Sequence, residues 1–243
     1  MATKILLFLD YDGTLTPIRS RPEKAKLTDA NRQKLRALLG QPLVKVVIIS
    51  GRKLSILKQM VRVPGFIYVG NHGFESEVGG EHRVVPRAKK HLKVMRAIRK
   101  ELSRSIRIKG GLIEDKGLTL SVHYRMVPKT KLKTFHALFA KAIKKWLGMV
   151  RVTQGKAVYE IRPPINWDKG KAVLWLIRSL RLAKYLPVYI GDDKTDEDAF
   201  RAIKGRGPSF LVGAGRPTAA DHRLGTIRDV YRLIEGIVRN GEI

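Results

Sequence analysis

Cysteine is absent from the 243-residue chain, which removes disulfide stapling and thiolate chemistry from consideration. Acids are scarce: 21 Asp and Glu stand against 49 Lys and Arg, a formal net charge of +28. So few acids leave little material for surface ion-pair networks. No apolar run approaches the length needed to span a bilayer. The first such run, Ile5 to Leu9, is too short for a secretory signal and leads straight into Asp10. These absences predict a cytoplasmic protein with no membrane partner. Internal repeats, low-complexity tracts and flexible linkers are missing as well. The length then fits one large domain or two modest ones. At 44% hydrophobic and 29% charged, the composition excludes a disordered chain.

The charge excess raises a nucleic-acid or polyanion-binding reading. Between Arg87 and Lys109 there are ten Lys and Arg and a single acid, Glu101. No aromatic residue interleaves with that run, which argues against binding a single strand by base stacking. Nonspecific contact with phosphates alone stays open. So does the plainer reading of a solvated surface that attracts anionic metabolites.

Apolar runs alternate with helical patterns at both ends of the chain. KILLFLD, LVKVVIIS and FIYVGNHG read as strands covered on both faces. Between them, LTDANRQKLRALLG and KLSILKQMV read as helices, the first with Thr28 or Asp29 as N-cap and Gly40 as its stop. The pattern resumes with a helix opening at WDKGKAVLWLIRSL, a strand LPVYIGDD, a helix TDEDAFRAI, a last strand PSFLVGAG and a closing helix TIRDVYRLIEGIVRN. The middle reads differently, as helix, hairpin, helix, hairpin. The expected fold is α/β: a Rossmann-like, doubly wound parallel-sheet core, residues 1–83 and 164–243, with an inserted α+β cap, residues 84–163. The chain begins four residues before its first strand, which reads as a free-standing protein rather than the tail of a fusion.

In such sheets ligands bind beyond the carboxyl ends of the strands, and Asp10, Ser50 and Asn71 fall there. Asp10 and Asp12 sit in FLDYDGTL. Carboxylates at the mouth of a buried strand need compensation, so the segment is either an ordinary polar turn or a site with a cation in it. A carboxylate there can attack phosphorus, with the phosphate charge offset by Mg²⁺ on hard oxygen ligands. A second carboxylate two residues on can protonate the leaving oxygen and then activate water. Ser50, Gly51 and Arg52 follow the second strand, and a hydroxyl there can hold a phosphate oxygen. Lys169 opens a helix, where it can pair with phosphate and nucleophile. In GDDKTDEDAF, Asp192 and Asp193 follow a strand. Preference of acids for a helix N-terminus accounts for Asp196 and Glu197 but not for that pair.

This joint pattern resembles the haloacid-dehalogenase-like phosphatases. Within them, FLDYDGTL, IISGR, GNHGFE, SVHYR, EIRPPINWDKGKA and GDDKTDEDAF are similar to the trehalose-6-phosphate phosphatases, over nearly the whole chain. The resemblance implies a Mg²⁺-dependent phosphatase acting on a sugar phosphate. It implies Asp10 as nucleophile, Asp12 as general acid and base, Ser50 and Lys169 as phosphoryl-binding groups, and Asp10, Asp12 and Asp192 as metal ligands. Asp193 and Asp196 would lie in the surrounding shell or serve as alternative ligands. The inserted unit would be the cap that closes over the sugar. Glu114 and Lys116 are two apart on one expected strand, Lys156 and Glu160 four apart on another, and Arg125 ends a neighbour. These residues, with Arg52, Asn71 and His72, are the expected substrate contacts. A cross-strand ion-pair network is the alternative for the cap residues. Sucrose phosphate, a glycosyl-glycerate phosphate or a hexose phosphate remain alternative substrates.

Overall fold

Residues Ile5–Asp10 form a strand, β1, whose six side chains are all buried. A run without polar alternation belongs between two covering layers, and the residues of β1 divide accordingly. Ile5, Leu7 and Leu9 enter one apolar cluster, while Leu6 and Phe8 enter another on the opposite face.

The computed structural model describes residues 3–242 and separates into two units. One runs to Arg83 and resumes at Trp167; the other is Val84–Asn166. After β1 come α1 (Asp29–Ala37), β2 (Val44–Ile49), α2 (Leu54–Val61), β3 (Ile67–Gly70), β4 (Glu75–Val78) and β5 (Glu81–Val84). The second unit contributes α3 (Pro86–Lys89), α4 (Leu92–Ser105), β6 (Leu112–Asp115), β7 (Leu120–His123), α5 (Leu132–Ile143), β8 (Arg151–Gly155) and β9 (Val158–Arg162). The first resumes with α6 (Lys169–Ser179), β10 (Leu186–Gly191), α7 (Glu197–Ile203), β11 (Ser209–Val212), β12 (His222–Leu224) and α8 (Ile227–Asn240).

The first sheet has eight strands in the order β12-β11-β10-β1-β2-β3-β4-β5. From β12 to β3 every pairing is parallel, and β4 turns antiparallel onto β3. The chain winds outward from β1 through β2 and β3, then returns to β10 on the other side of β1. That reversal puts a topological switch point between β1 and β10, where open α/β sheets bind ligands. The expected doubly wound core is therefore observed. Two features escape the sequence reading. PSFLVGAG is not the last strand, because β12 follows it as a three-residue edge with two exposed side chains. FIYVGNHG is a strand only to Gly70, after which Asn71–Gly73 makes a tight turn into the β4–β5 hairpin.

Local chemistry sets the helix ends. Thr28 caps α1 by accepting the Asn31 N–H, and Asp168 caps α6 by accepting the Lys171 N–H. Thr226 and Asp229 form a reciprocal capping box on α8. Glu197, at the start of α7, accepts from the Ala219 N–H, the Thr218 hydroxyl and Arg216. Burial opposes its ionisation, yet these donors outweigh it and hold its carboxyl below the usual range.

In the second unit an antiparallel sheet runs β6-β7-β9-β8. One face packs on α4 and α5: Leu120, Val122 and Ile161 meet Met95, Ile98, Leu102, Phe135 and Phe139. Ser121, His123 and Glu160 alternate with them and bring polar side chains to the other face. Ser121 pairs with Glu114 on one side and Glu160 on the other, and Glu160 pairs with Thr153. This period of two gives the sheet one apolar and one polar face.

Candidate active site

Asp10 closes β1, and Asp192 follows β10, its neighbour in the sheet. Lys169 is the first residue of α6 and is 3% exposed. Its ammonium lies 2.6 Å from Asp10 Oδ1 and 2.7 Å from Asp196 Oδ1. Asp196 also accepts from the Tyr189 hydroxyl at 2.7 Å on Oδ1, and from the N–H groups of Asp192 and Asp193 on Oδ2 at 3.1 and 2.9 Å. A carboxylate has about four lone-pair sites, so Asp196 is saturated by these four donors. Asp10 differs. Its Oδ1 is taken by Lys169, and no described residue donates to Oδ2.

Two glycines make room for this cluster. A Cβ at Gly13 would lie 2.2 Å from Asp192 Oδ2, and one at Gly191 would lie 2.4 Å from Asp196 Cγ. Gly13 also has φ +89°, the left-handed region that side chains disfavour.

Burial pushes the Asp10 carboxyl well above its ordinary range; Lys169 pulls it back down, and Asp196 and Asp192 push it up again. Burial also works against the charged form of Lys169, but Asp10 and Asp196 outweigh it and raise its pKa. One oxygen each from Asp10, Asp192 and Asp196 lie within 4.8 Å of one another. Three buried carboxylates beside one ammonium leave an excess of negative charge that low-dielectric surroundings penalise. Hard oxygen donors with that excess fit a small divalent cation. Because Asp196 is saturated, Asp10 and Asp192 are the carboxylates with capacity to hold one. A divalent ion should therefore raise the melting temperature. At 100 times its dissociation constant the gain is about 2.7 kcal/mol, roughly 5–10 °C for a chain of this size. Asp192→Asn should lose most of that shift in scanning fluorimetry, and an unchanged shift would place the ion elsewhere.

Asp12 is held by Arg52, whose Nε and one terminal nitrogen each lie 2.6 Å from a carboxylate oxygen. This two-pronged pairing fixes the plane of the carboxylate. Arg52 also donates to the Pro22 carbonyl and lies over the Tyr11 ring. Arg52, expected as a substrate contact, is thus engaged with the expected acid and base. Ser50 is buried just beyond β2, and its hydroxyl accepts the Arg52 N–H at 3.2 Å. Asn71 and His72 follow β3 and are buried, with backbone N–H groups bonded to the Arg52 and Ser50 carbonyls. Glu75 accepts from both the Asn71 amide and the Leu54 N–H. The His72 ring fills the space that a Cβ at Gly51 would need. Asp193 contributes its N–H to Asp196 and is half-buried.

In the second unit, Glu114 and Glu160 lie on β6 and β9, on the polar face of the sheet. Three neighbours are placed differently from the sequence reading. Lys116 lies one residue past β6, in the turn that Gly117 completes at φ +81°. Lys156 is in the β8–β9 turn rather than on a strand, because β8 runs through Gly155 and Ala157 takes the left-handed position. Arg125 lies two residues beyond β7 and donates to the Lys156 carbonyl at 2.8 Å. Lys116 still meets Glu160, its ammonium 3.5 Å from Oε2. The sequence reading missed Ser121 and His123 on β7, which bond Glu160 and Glu114. Both stand in the SVHYR stretch, and their alternation with Leu120 and Val122 was the available signal. It also missed Tyr189; Asp196, expected in the surrounding shell or as an alternative ligand, makes no cap bond at the start of α7 and instead accepts from Lys169 and Tyr189.

A family model described as Trehalose-phosphatase matches residues 8–222. A rice protein, probable trehalose-phosphate phosphatase 2, is 35% identical over 96% of this chain and 66% of its own length. An Arabidopsis thaliana protein, probable trehalose-phosphate phosphatase D, is 34% identical over 97% of this chain and 67% of its own. The chain thus spans about two thirds of the length of these relatives. A crystal structure of a trehalose-6-phosphate phosphatase related protein matches with a TM-score of 0.84 at 24% identity, over 97% of this chain and 98% of that one. A haloacid dehalogenase-like hydrolase from Bacteroides thetaiotaomicron matches at 0.68 and 18% identity, over 97% of this chain and 100% of its own. At such identities the two structures show the fold alone. No helix among the described residues is long and apolar enough to cross a membrane.

Proposed function

Because the chain belongs to the trehalose-phosphatase family, we propose that it hydrolyses trehalose 6-phosphate to trehalose and inorganic phosphate through an aspartyl-phosphate. The observation that carries this reading is the asymmetry of Asp10, with one oxygen on Lys169 and the other unengaged. A buried carboxylate so held is desolvated, aimed and paired with a cation that tolerates a phosphate beside it.

Asp10 Oδ2 attacks phosphorus as the bond from phosphorus to the sugar oxygen breaks. Asp12 gives that oxygen its proton. Asp12 then takes a proton from water, which attacks the phosphorus of the acyl phosphate, and the Asp10 carboxylate leaves. Lys169 and the Ser50 hydroxyl bind the phosphoryl oxygens, and Arg52 keeps Asp12 in one plane. Magnesium is the ion we assign to Asp10, Asp192 and the Asp12 carbonyl, where it supplies charge neutralisation to the phosphoryl group. Asp196 acts as an anchor for Lys169 and for the Asp192–Asp193 backbone. The sugar hydroxyls fall to the polar sheet face of the second unit, with Glu114, Lys116 and Glu160, and to Arg125 and Lys156 at its turns. The surplus of Lys and Arg favours anionic substrates generally.

Phosphate release from trehalose 6-phosphate, sucrose 6-phosphate, glucose 6-phosphate, mannosyl-3-phosphoglycerate and p-nitrophenyl phosphate, each with Mg²⁺ and with EDTA, tests the assignment. A Mg²⁺-dependent preference for trehalose 6-phosphate is expected. Preference for another sugar phosphate would keep the chemistry and overturn the substrate.

A further inference from the structure

We propose that Ser121 and His123 are positioning residues that hold the carboxylates of Glu160 and Glu114 ready for sugar hydroxyls. This rests on the reading of that sheet face as the sugar-binding surface. Ser121 and His123 are two apart on β7, so both point to the polar face. β7 lies between β6 and β9, the strands that carry the two glutamates. Ser121 stands directly opposite Glu114 and Glu160 in the register. Its buried hydroxyl lies 2.8 and 2.9 Å from the two oxygens of Glu160. With one proton it donates to either oxygen and pins the group from below.

His123 is one rung on, opposite Leu112 and Val158. Neither neighbour offers it a polar partner, and its ring reaches diagonally to Glu114, with Nε2 2.9 Å from Oε2. Diagonal pairs of long side chains are within reach across a sheet. An imidazole nitrogen facing a carboxylate oxygen donates to it. The side chains of His123 and Glu114 are 23% and 24% exposed, which leaves Glu114 accessible to a ligand while held.

A glutamate has three rotatable bonds, and ordering one on binding costs part of the affinity gained. Fixed in advance, each carboxylate presents its oxygens to a sugar hydroxyl in one direction. Sites that hydrogen-bond a substrate hydroxyl discriminate strongly against ligands that lack it. Residues that set the direction of those acceptors therefore set sugar specificity without touching the sugar.

Steady-state kinetics on trehalose 6-phosphate and p-nitrophenyl phosphate should be measured for Glu114→Ala, His123→Ala, His123→Gln and Ser121→Ala. His123→Ala should raise KM for trehalose 6-phosphate roughly tenfold, with kcat changed much less. The p-nitrophenyl phosphate constants should move far less. The Gln variant places an amide nitrogen near the Nε2 position and should recover most of the loss. His123→Ala should add little to Glu114→Ala, because both act on one group. Ser121→Ala should raise KM in the same selective way. If Glu114→Ala leaves disaccharide kinetics unchanged, the sugar-binding reading of this face fails, and the inference with it. If Glu114→Ala is impaired but His123→Ala and Ser121→Ala match the wild type, the inference alone fails. Equal losses on both substrates, or no recovery with Gln, would assign His123 a structural role instead.

Discussion

Asp10→Asn should lower phosphate release by at least about a thousandfold and leave the protein folded. The amide is nearly isosteric, and its oxygen can still accept from Lys169, whose second partner Asp196 is untouched. The proposed nucleophile, however, is gone. The stability effect has a definite sign. The folded Asp10 carboxyl titrates well above the ordinary aspartate range, chiefly through burial and repulsion from Asp196 and Asp192 against the pull of Lys169. A raised carboxylate costs no stability below its unfolded pKa, and the cost builds as pH rises toward the folded value. At neutral pH the wild type bears that cost, and the variant does not. Scanning fluorimetry in EDTA should therefore show Asp10→Asn melting no lower than wild type at neutral pH, with the difference narrowing in acid. A variant that retained activity would remove Asp10 from the chemistry. One that melted several degrees lower would contradict the electrostatic account.

Lys169→Met should do the opposite to stability while also abolishing activity. Lys169 is 3% exposed, and its ammonium faces two carboxylates that are themselves buried. Removing one member of such a pair costs about 3–5 kcal/mol, because the partner charge stays buried and uncompensated. For a domain of this size that is roughly 6–20 °C of melting temperature. Methionine preserves most of the volume, so the loss would come from charge. The pH dependence tests this. Without the ammonium Asp10 loses the group that pulls its carboxyl down and favours its protonated form more strongly, so the deficit relative to wild type should shrink as pH falls. Lys169 itself, with its folded pKa raised, stabilises fully below its unfolded value of 10.5 and loses that contribution only in strong alkali. A deficit independent of pH would mean that packing, not charge, makes Lys169 necessary.

Much of this arrangement is legible in the chain itself. The unbroken apolar run of β1 required a doubly covered strand, and the aspartates after it required a reason to be there. Asp10, Ser50, Asn71 and Asp192 could be placed at strand ends because parallel strands alternate with helices in a regular way. Other features depend on contacts between distant residues. Asp196 could be placed near the site by resemblance, but nothing local indicates that Lys169, 27 residues earlier in the chain, donates to it. Tyr189 sits in a run of buried strand residues, and its hydroxyl carries no sequence signal. Turn register misled the reading of Lys156 and Arg125. Gly155 ends β8, so Lys156 and Ala157 make the turn, and Ala157 takes the left-handed position. The short edge strand β12 lacks the apolar alternation that would reveal it. Ser121 and His123 follow a readable period of two, yet their meaning appears only once β7 is known to lie between the strands of Glu114 and Glu160.

The most direct test of the mechanism is acid quenching within milliseconds of mixing the Mg²⁺-loaded protein with trehalose 6-phosphate, followed by peptide mass analysis. A mass increase of one phosphoryl group on the peptide containing Asp10, absent from Asp10→Asn, is the predicted result. Rapid turnover with no phosphorylated peptide at any quench time, or with the phosphoryl group on another residue, would contradict the account.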